Sequence, residues 1–264
     1  MAQMKYYYEL TISSSPHVHS PVTTQTIMRD VLIALFPALI GSVYFFGARA
    51  LMVTLVSAAA CVAFEWLWCH LMKKDKKIYD LSAVVTGVLL AFVCPPTIPY
   101  WTIIIGDLFA IILVKMLFGG IGKNFVNPAL AGRAFMFSWP VAMSTWVKVG
   151  FENAAPLFGT VDAVTAATPL SFLHQGQLPN VTIADAFFGN VGGCIGETSA
   201  LLLLIGFLYL LVRRVLTIRI PVSYIGTVAV LAFLFPQGHD RVTWMAYQLF
   251  TGGLMLGAIF MATD

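Results

Sequence analysis

Apolar runs recur along this chain at lengths matching the hydrocarbon thickness of a bilayer, about 30 Å or some 20 residues of helix. They occupy residues 31–46, 51–72, 81–93, 101–118, 128–146, 195–212, 220–235 and 244–261. Backbone in lipid has no water to satisfy its N–H and C=O groups. Each run must therefore be a helix or half-helix, since the alternation of a barrel is missing. With 59% hydrophobic and 10% charged residues over 264 positions, the chain could not cover a water-soluble surface, for which about 25% charged is usual. The expected fold class is an all-α polytopic membrane protein with about eight transmembrane helices or half-helices in the lipid bilayer. The same composition excludes a disordered or fibrous chain and argues against nucleic-acid binding.

Residues 1–30 are polar and lack the apolar core of a signal peptide, so no cleavable leader is expected. They form a cytoplasmic N-terminal segment ahead of a single transmembrane domain, 31–264. Alternate loops carry twelve and three of the 15 Lys and Arg residues. Basic residues collect on the cytoplasmic side, so the dense run at 73–77 and the 213–219 loop lie inside. Arg133 counts with them. The sparse set, Arg49, Lys148 and Arg241, puts the longest polar interruption, 148–191, outside. The net charge of +3 is thus a topology signal rather than a nucleic-acid footprint.

Cys61, Cys69, Cys94 and Cys194 form no CxxC pair and no zinc, haem or iron–sulfur spacing. Cys61 and Cys69 read as small buried hydrophobes. Cys94 and Cys194 fall on one side of the membrane, which leaves a disulfide open. The five histidines form no cluster, and no metal site is expected.

The outer interruption contains Asp162-Ala163-Val164-Thr165-Ala166-Ala167-Thr168-Pro169. Alone, this is a Thr/Ala-rich helix start capped by Asp162. It also resembles the Dxx(S/T)(G/A)A(T/S) signature at which a transferase attaches FMN to a threonine hydroxyl through its phosphate. Ala166 stands where glycine is commoner, and the small-residue requirement is kept. Four further blocks follow the same order: Asp80-Leu81-Ser82-Ala83-Val84-Val85-Thr86-Gly87 with Pro95-Pro96; Gly119 to Ala129 with Gly132-Arg133; Gly196-Glu197-Thr198-Ser199; and Gly252-Gly253 with Met261 to Asp264. Together they resemble the family of the Rnf complex D subunit and the B subunit of the sodium-pumping NADH:quinone reductase, Nqr. The short polar amino terminus is more similar to the Rnf branch.

The resemblance implies covalent FMN on Thr168, with Asp162 and Thr165 as the other polar members of the motif. It implies a subunit of a bacterial inner-membrane translocase that couples ferredoxin:NAD⁺ electron transfer to Na⁺ or H⁺ movement. Partners would include an extracytoplasmic FMN subunit and membrane iron–sulfur subunits. A non-covalent riboflavin is also implied, with the Asn124–Arg133 region as a candidate surround. Ten helices are expected in the full-length family, so two further spans would follow Asp264. The alternatives are an Nqr B-type subunit, a flavin-free channel or solute transporter whose glycine breaks line a pore, and a structural scaffold.

Read by themselves, the glycines of 119–122 permit close backbone approach, and Pro128 suits a first helical turn. Asn124 and Asn127 would satisfy freed backbone groups or the polar edge of a flavin. Arg133 would hold an anion or a flavin carbonyl, or else snorkel to the interface as Lys123 is expected to. Glu65, Asp107 and Glu197 are acids within apolar runs and stand as candidate ion-path residues. Asp107 and Lys115 share a helical face without pairing directly. Glu197 would cap the sixth helix, or with Thr198 contact a flavin near Thr168.

Overall fold

The computed structural model describes residues 22–73, 78–147, 156–157 and 168–263, and every regular element among them is helical. Two helices are each long and apolar enough to cross a membrane, α1 (Thr24–Phe46) and α2 (Ala48–Leu71). The Thr23 hydroxyl starts α1 by accepting from the Thr26 amide at 3.3 Å. Arg29 and Asp30, assigned by sequence to the polar N-terminal segment, are already helical. Gly47 alone joins α1 to α2, at a φ of 79° that disfavours side chains.

Along α1 the usual soluble pattern is inverted. Phe36, Ile40 and Tyr44 point outward, while Ala34, Ala38, Gly41 and Ser42 are buried. Lipid solvates large apolar side chains as well as a protein core does, so small residues take the helix contacts. Gly206 of α9 (Ala200–Val212) lies where a Cβ would collide with the Ala34 carbonyl of α1. Arg213, just past α9, reaches buried Asp30 at 3.1 Å and fastens the same pair.

The other elements are short or broken. They begin with a 3-10 turn Ile78–Asp80, α3 (Ser82–Phe92), α4 (Tyr100–Leu108) continuing as a π-helical stretch Phe109–Met116, and α5 (Pro128–Met136). After them come α6 (Pro140–Met143), α7 (Pro169–His174), α8 (Ile183–Phe188) and α10 (Arg219–Leu234). Last are α11 (Arg241–Phe250) and α12 (Leu254–Leu256), with a π-helical turn Gly257–Met261. Two expected spans need correction. The run 128–146 is not one helix, because α5 ends at Met136 and Pro140 starts a separate turn. The run 244–261 bends by 64° between α11 and α12, where Gly252 takes a φ of 73°.

The broken ends meet inside the bundle. At the end of α3, the carbonyls of Phe92 and Cys94 accept from the amides of Gly196 (2.9 Å) and Ile195 (3.0 Å), just before α9. These bonds satisfy backbone groups that would otherwise be stranded away from water. Gly196 is needed there, since a Cβ would overlap the Phe92 ring. One apolar cluster runs from α1 through α3, α4, α5 and α9 to the last turn.

Candidate functional site

Pro169 opens α7, and Thr168 precedes it in extended conformation, at φ −73° and ψ 152°. The Thr168 carbonyl accepts from both the amide (2.9 Å) and the hydroxyl (2.7 Å) of Ser171. Its own hydroxyl makes no capping bond. Thr168 borders two cavities. One, of about 100 Å³, is lined by Arg133, Glu197, Thr198, Cys194 and the Gly252–Gly253 turn. The other, of about 490 Å³, is more open and is lined by Leu170, Ser171, His174, Gln237 and Gln248. Asp162 and Thr165 lie outside the described residues.

Arg133 donates from Nη1 to Glu197 Oε1 at 2.9 Å, and its Nη2 lies 3.8 Å from the Cys194 sulfur. Glu197 is buried, while the Arg133 side chain keeps 26% of its surface exposed. Close approach of the Gly252–Gly253 turn depends on glycine, for a Cβ at Gly253 would sit 2.5 Å from Glu197 Oε1. The helix-capping role read for Glu197 belongs instead to Ser199, whose hydroxyl accepts from the Leu202 amide at 3.4 Å. Two more residues separate Glu197 from the helix, and its carboxylate turns to the Arg133 cation.

The sequence groups Arg133 with Asn124 and Asn127, but the structure separates them. Asn127 caps α5, its Oδ1 accepting from Ala129 (3.0 Å) and Leu130 (3.2 Å). Six residues of helix then rise about 9 Å, which carries Arg133 to the Thr168 side. Asn124 and Asn127 line a third cavity of about 310 Å³ with Ser82, Thr86 and Lys115. Lys123 is exposed.

Sequence reasoning missed the partner of Glu65. Lys115 Nζ lies 2.7 Å from Glu65 Oε2 and 2.6 Å from Ser82 Oγ, with both charged groups buried. Lys115 was itself the available signal, because a cation in an apolar run requires an acceptor. Asp107 faces α2 and belongs to neither the Thr168 cavities nor the Lys115 cavity. All four cysteines are buried free thiols, so Cys94 and Cys194 are neighbours through backbone without a disulfide. Arg49, read as an outer-loop cation, is a buried clamp. Its guanidinium donates to the carbonyls of Pro96, Thr97, Ile98 and Pro156 and lies 5.1 Å from the Tyr100 ring centroid.

Residues 11–264 match the model of the NQR2, RnfD, RnfE family. The D subunit of the Na⁺-translocating ferredoxin:NAD⁺ oxidoreductase complex of Acetobacterium woodii is 46% identical, covering 97% of this chain and 77% of that relative. The D subunit of the proton-translocating ferredoxin:NAD⁺ oxidoreductase complex of Clostridium ljungdahlii is 40% identical, over 96% of this chain and 78% of that relative. In Aliivibrio salmonicida, the D subunit of the ion-translocating oxidoreductase complex is 34% identical, over 96% and 81%.

Proposed function

The chain belongs to the NQR2, RnfD, RnfE family, and from that premise we propose that it carries FMN on Thr168 as the D subunit of an Rnf-type complex. Such a complex is a redox-driven ion translocase with ferredoxin and NAD⁺ as its electron partners, and its relatives are named for sodium or for protons. This subunit sits in a bacterial inner membrane with the Thr168 side extracytoplasmic. It meets an extracytoplasmic FMN subunit there, and membrane iron–sulfur subunits within the complex.

The observation that carries the reading is the position of Thr168 at the junction of a narrow charged pocket and a wide open one. A cavity of about 100 Å³ is smaller than the roughly 300–1,000 Å³ of organic ligand sites. The adjoining cavity of about 490 Å³ is within that range. Leu170, Ser171, His174, Gln237 and Gln248 would therefore face the ring system, and Arg133 would supply positive charge toward the phosphate. Glu197 holds that guanidinium in place and Gly253 allows Glu197 to approach. When bound, FMN supplies the centre that accepts and releases electrons, while the protein contributes placement and electrostatics. We assign a second flavin, non-covalent riboflavin, to the cavity of about 310 Å³ bordered by Lys115, Ser82, Thr86, Asn124 and Asn127.

The test is in-gel fluorescence of denatured polypeptide matured with its flavin transferase. Flavin emission is expected to stay with the wild-type band and to vanish in Thr168→Val. Emission retained in the variant would move the attachment to another residue. A dark wild-type band would remove covalent flavin from the assignment.

A further inference from the structure

Asp107 is the penultimate residue of α4, two positions before the π-helical stretch, and is completely buried. Its Oδ1 lies 2.7 Å from Ser57 Oγ and 3.2 Å from Cys61 Sγ, both on α2. Ser57 Oγ also lies 2.8 Å from the Gly87 carbonyl of α3. Among the described residues Oδ2 has no hydrogen-bond partner and no cation forms an ion pair with Asp107. The nearby lysine, Lys115, is already engaged by Glu65 and Ser82.

Ser57 has one hydroxyl hydrogen and two neighbouring acceptors. With Asp107 ionised, that hydrogen serves either the carboxylate or Gly87, and Oδ2 stays as bare charge in apolar surroundings. A buried unpaired carboxylate is so costly that the group takes a proton instead. With a proton on Oδ1, the acid donates to Ser57 Oγ, and Ser57 donates to the Gly87 carbonyl. Every hydrogen then has an acceptor, and Oδ2 becomes a neutral carbonyl oxygen. The chain of bonds joins α4, α2 and α3 in series. Gly87 makes the last link possible, since a Cβ there would lie 2.7–2.8 Å from the backbone of Ser57 and Ala58.

We propose that Asp107, Ser57 and the Gly87 carbonyl form a proton-binding site inside the bundle, in which Asp107 is held as a neutral carboxylic acid. Loss of the proton to water would leave the single Ser57 hydrogen shared between Asp107 and the Gly87 carbonyl, which weakens the hydrogen-bonded link between α2 and α3. The elements packed around the site carry Arg49, Cys61, Glu65, Cys69 and His70 on α2, Tyr100 on α4, Lys115 on the π-helical stretch, Cys94 just beyond α3 and Arg133 on α5. Glu65 with Lys115, and Arg133 with Glu197, are internally paired. The site stands independently of the flavin on Thr168.

Infrared difference spectra of the assembled membrane complex at neutral pH test it, with wild type compared against Asp107→Asn. Asparagine replaces the acid O–H by an N–H donor, so the network is expected to survive. Loss of one protonated-carboxyl carbonyl band in the variant is the expected result. Loss of a carboxylate band instead would overturn the proposal, as would disappearance of the acid band when NaCl is added at constant pH. Should the asparagine variant fail to assemble, Ser57→Ala decides: the band shifts to higher frequency if the acid donates to Ser57, and an unmoved band refutes that bond.

Discussion

At the scale of single residues, most buried acids hold a specific cation: Glu65 has Lys115, Glu197 has Arg133, and Asp30 has Arg213. Glu65 and Lys115 meet at 2.7 Å with both side chains almost fully enclosed. Removing one member of a buried pair leaves the other uncompensated, at a cost of about 3–5 kcal/mol, whereas replacing both by apolar groups of similar size is often neutral. Glu65→Gln is therefore expected to lower the melting temperature of the solubilised protein sharply. Glu65→Leu combined with Lys115→Met should recover most of the loss. A double variant no more stable than the single one would mean that Glu65 holds more than its lysine. The sequence marks Glu65 as an acid within an apolar run, yet its partner is 50 positions away. Helical periodicity assigns a face and says nothing about which distant helix covers it. For the same reason Arg133 is grouped by proximity with Asn127, when its contact is Glu197, on the other side of the 148–191 interruption.

At the scale of elements, apolar runs reveal helices well and their breaks poorly. Helices α1 and α2 stand out because both are long and uninterrupted. The division of 128–146 after Met136 and the meeting of α3 with the start of α9 depend on which backbone groups find partners across the bundle, and hydropathy carries no record of that. Glycines give the only local hint, and neighbours decide their meaning. A Cβ at Gly196 would overlap the Phe92 ring, whereas one at Gly226 in α10 would meet nothing within 4 Å. Gly196→Ala is thus expected to destabilise by about 1–3 kcal/mol through forced repacking. Gly226→Ala should be neutral or stabilising by up to about 1 kcal/mol, since alanine is the better helix former. Thermal denaturation of the two variants in one detergent provides the comparison. Equal destabilisation would mean that the α3–α9 junction is looser than its hydrogen bonds imply.

At the scale of the molecule, α5 stands between two cavities, each with charged side chains in its lining. Asn127 at its start faces the cavity with Lys115, and Arg133, about 9 Å further along the helix, faces the pocket at Thr168. The family blocks identify both regions in the sequence, but as one continuous candidate surround. Their separation appears only once α5 is given its length and direction. If the two cavities hold two flavins, the loads must be separable by mutation. Asn127→Asp keeps an acceptor for the Ala129 and Leu130 amides, at a helix N-terminus where negative charge is favoured, so α5 should remain folded. It also removes the side-chain amide and introduces an anion into the cavity of about 310 Å³. Solvent-extractable flavin per polypeptide should therefore fall, with the covalent in-gel signal unchanged. Thr168→Val should do the reverse. Unchanged extractable flavin in Asn127→Asp would exclude this cavity as the second site. Loss of both signals in one variant would mean that the two sites fold as a unit, with α5 as the element they share.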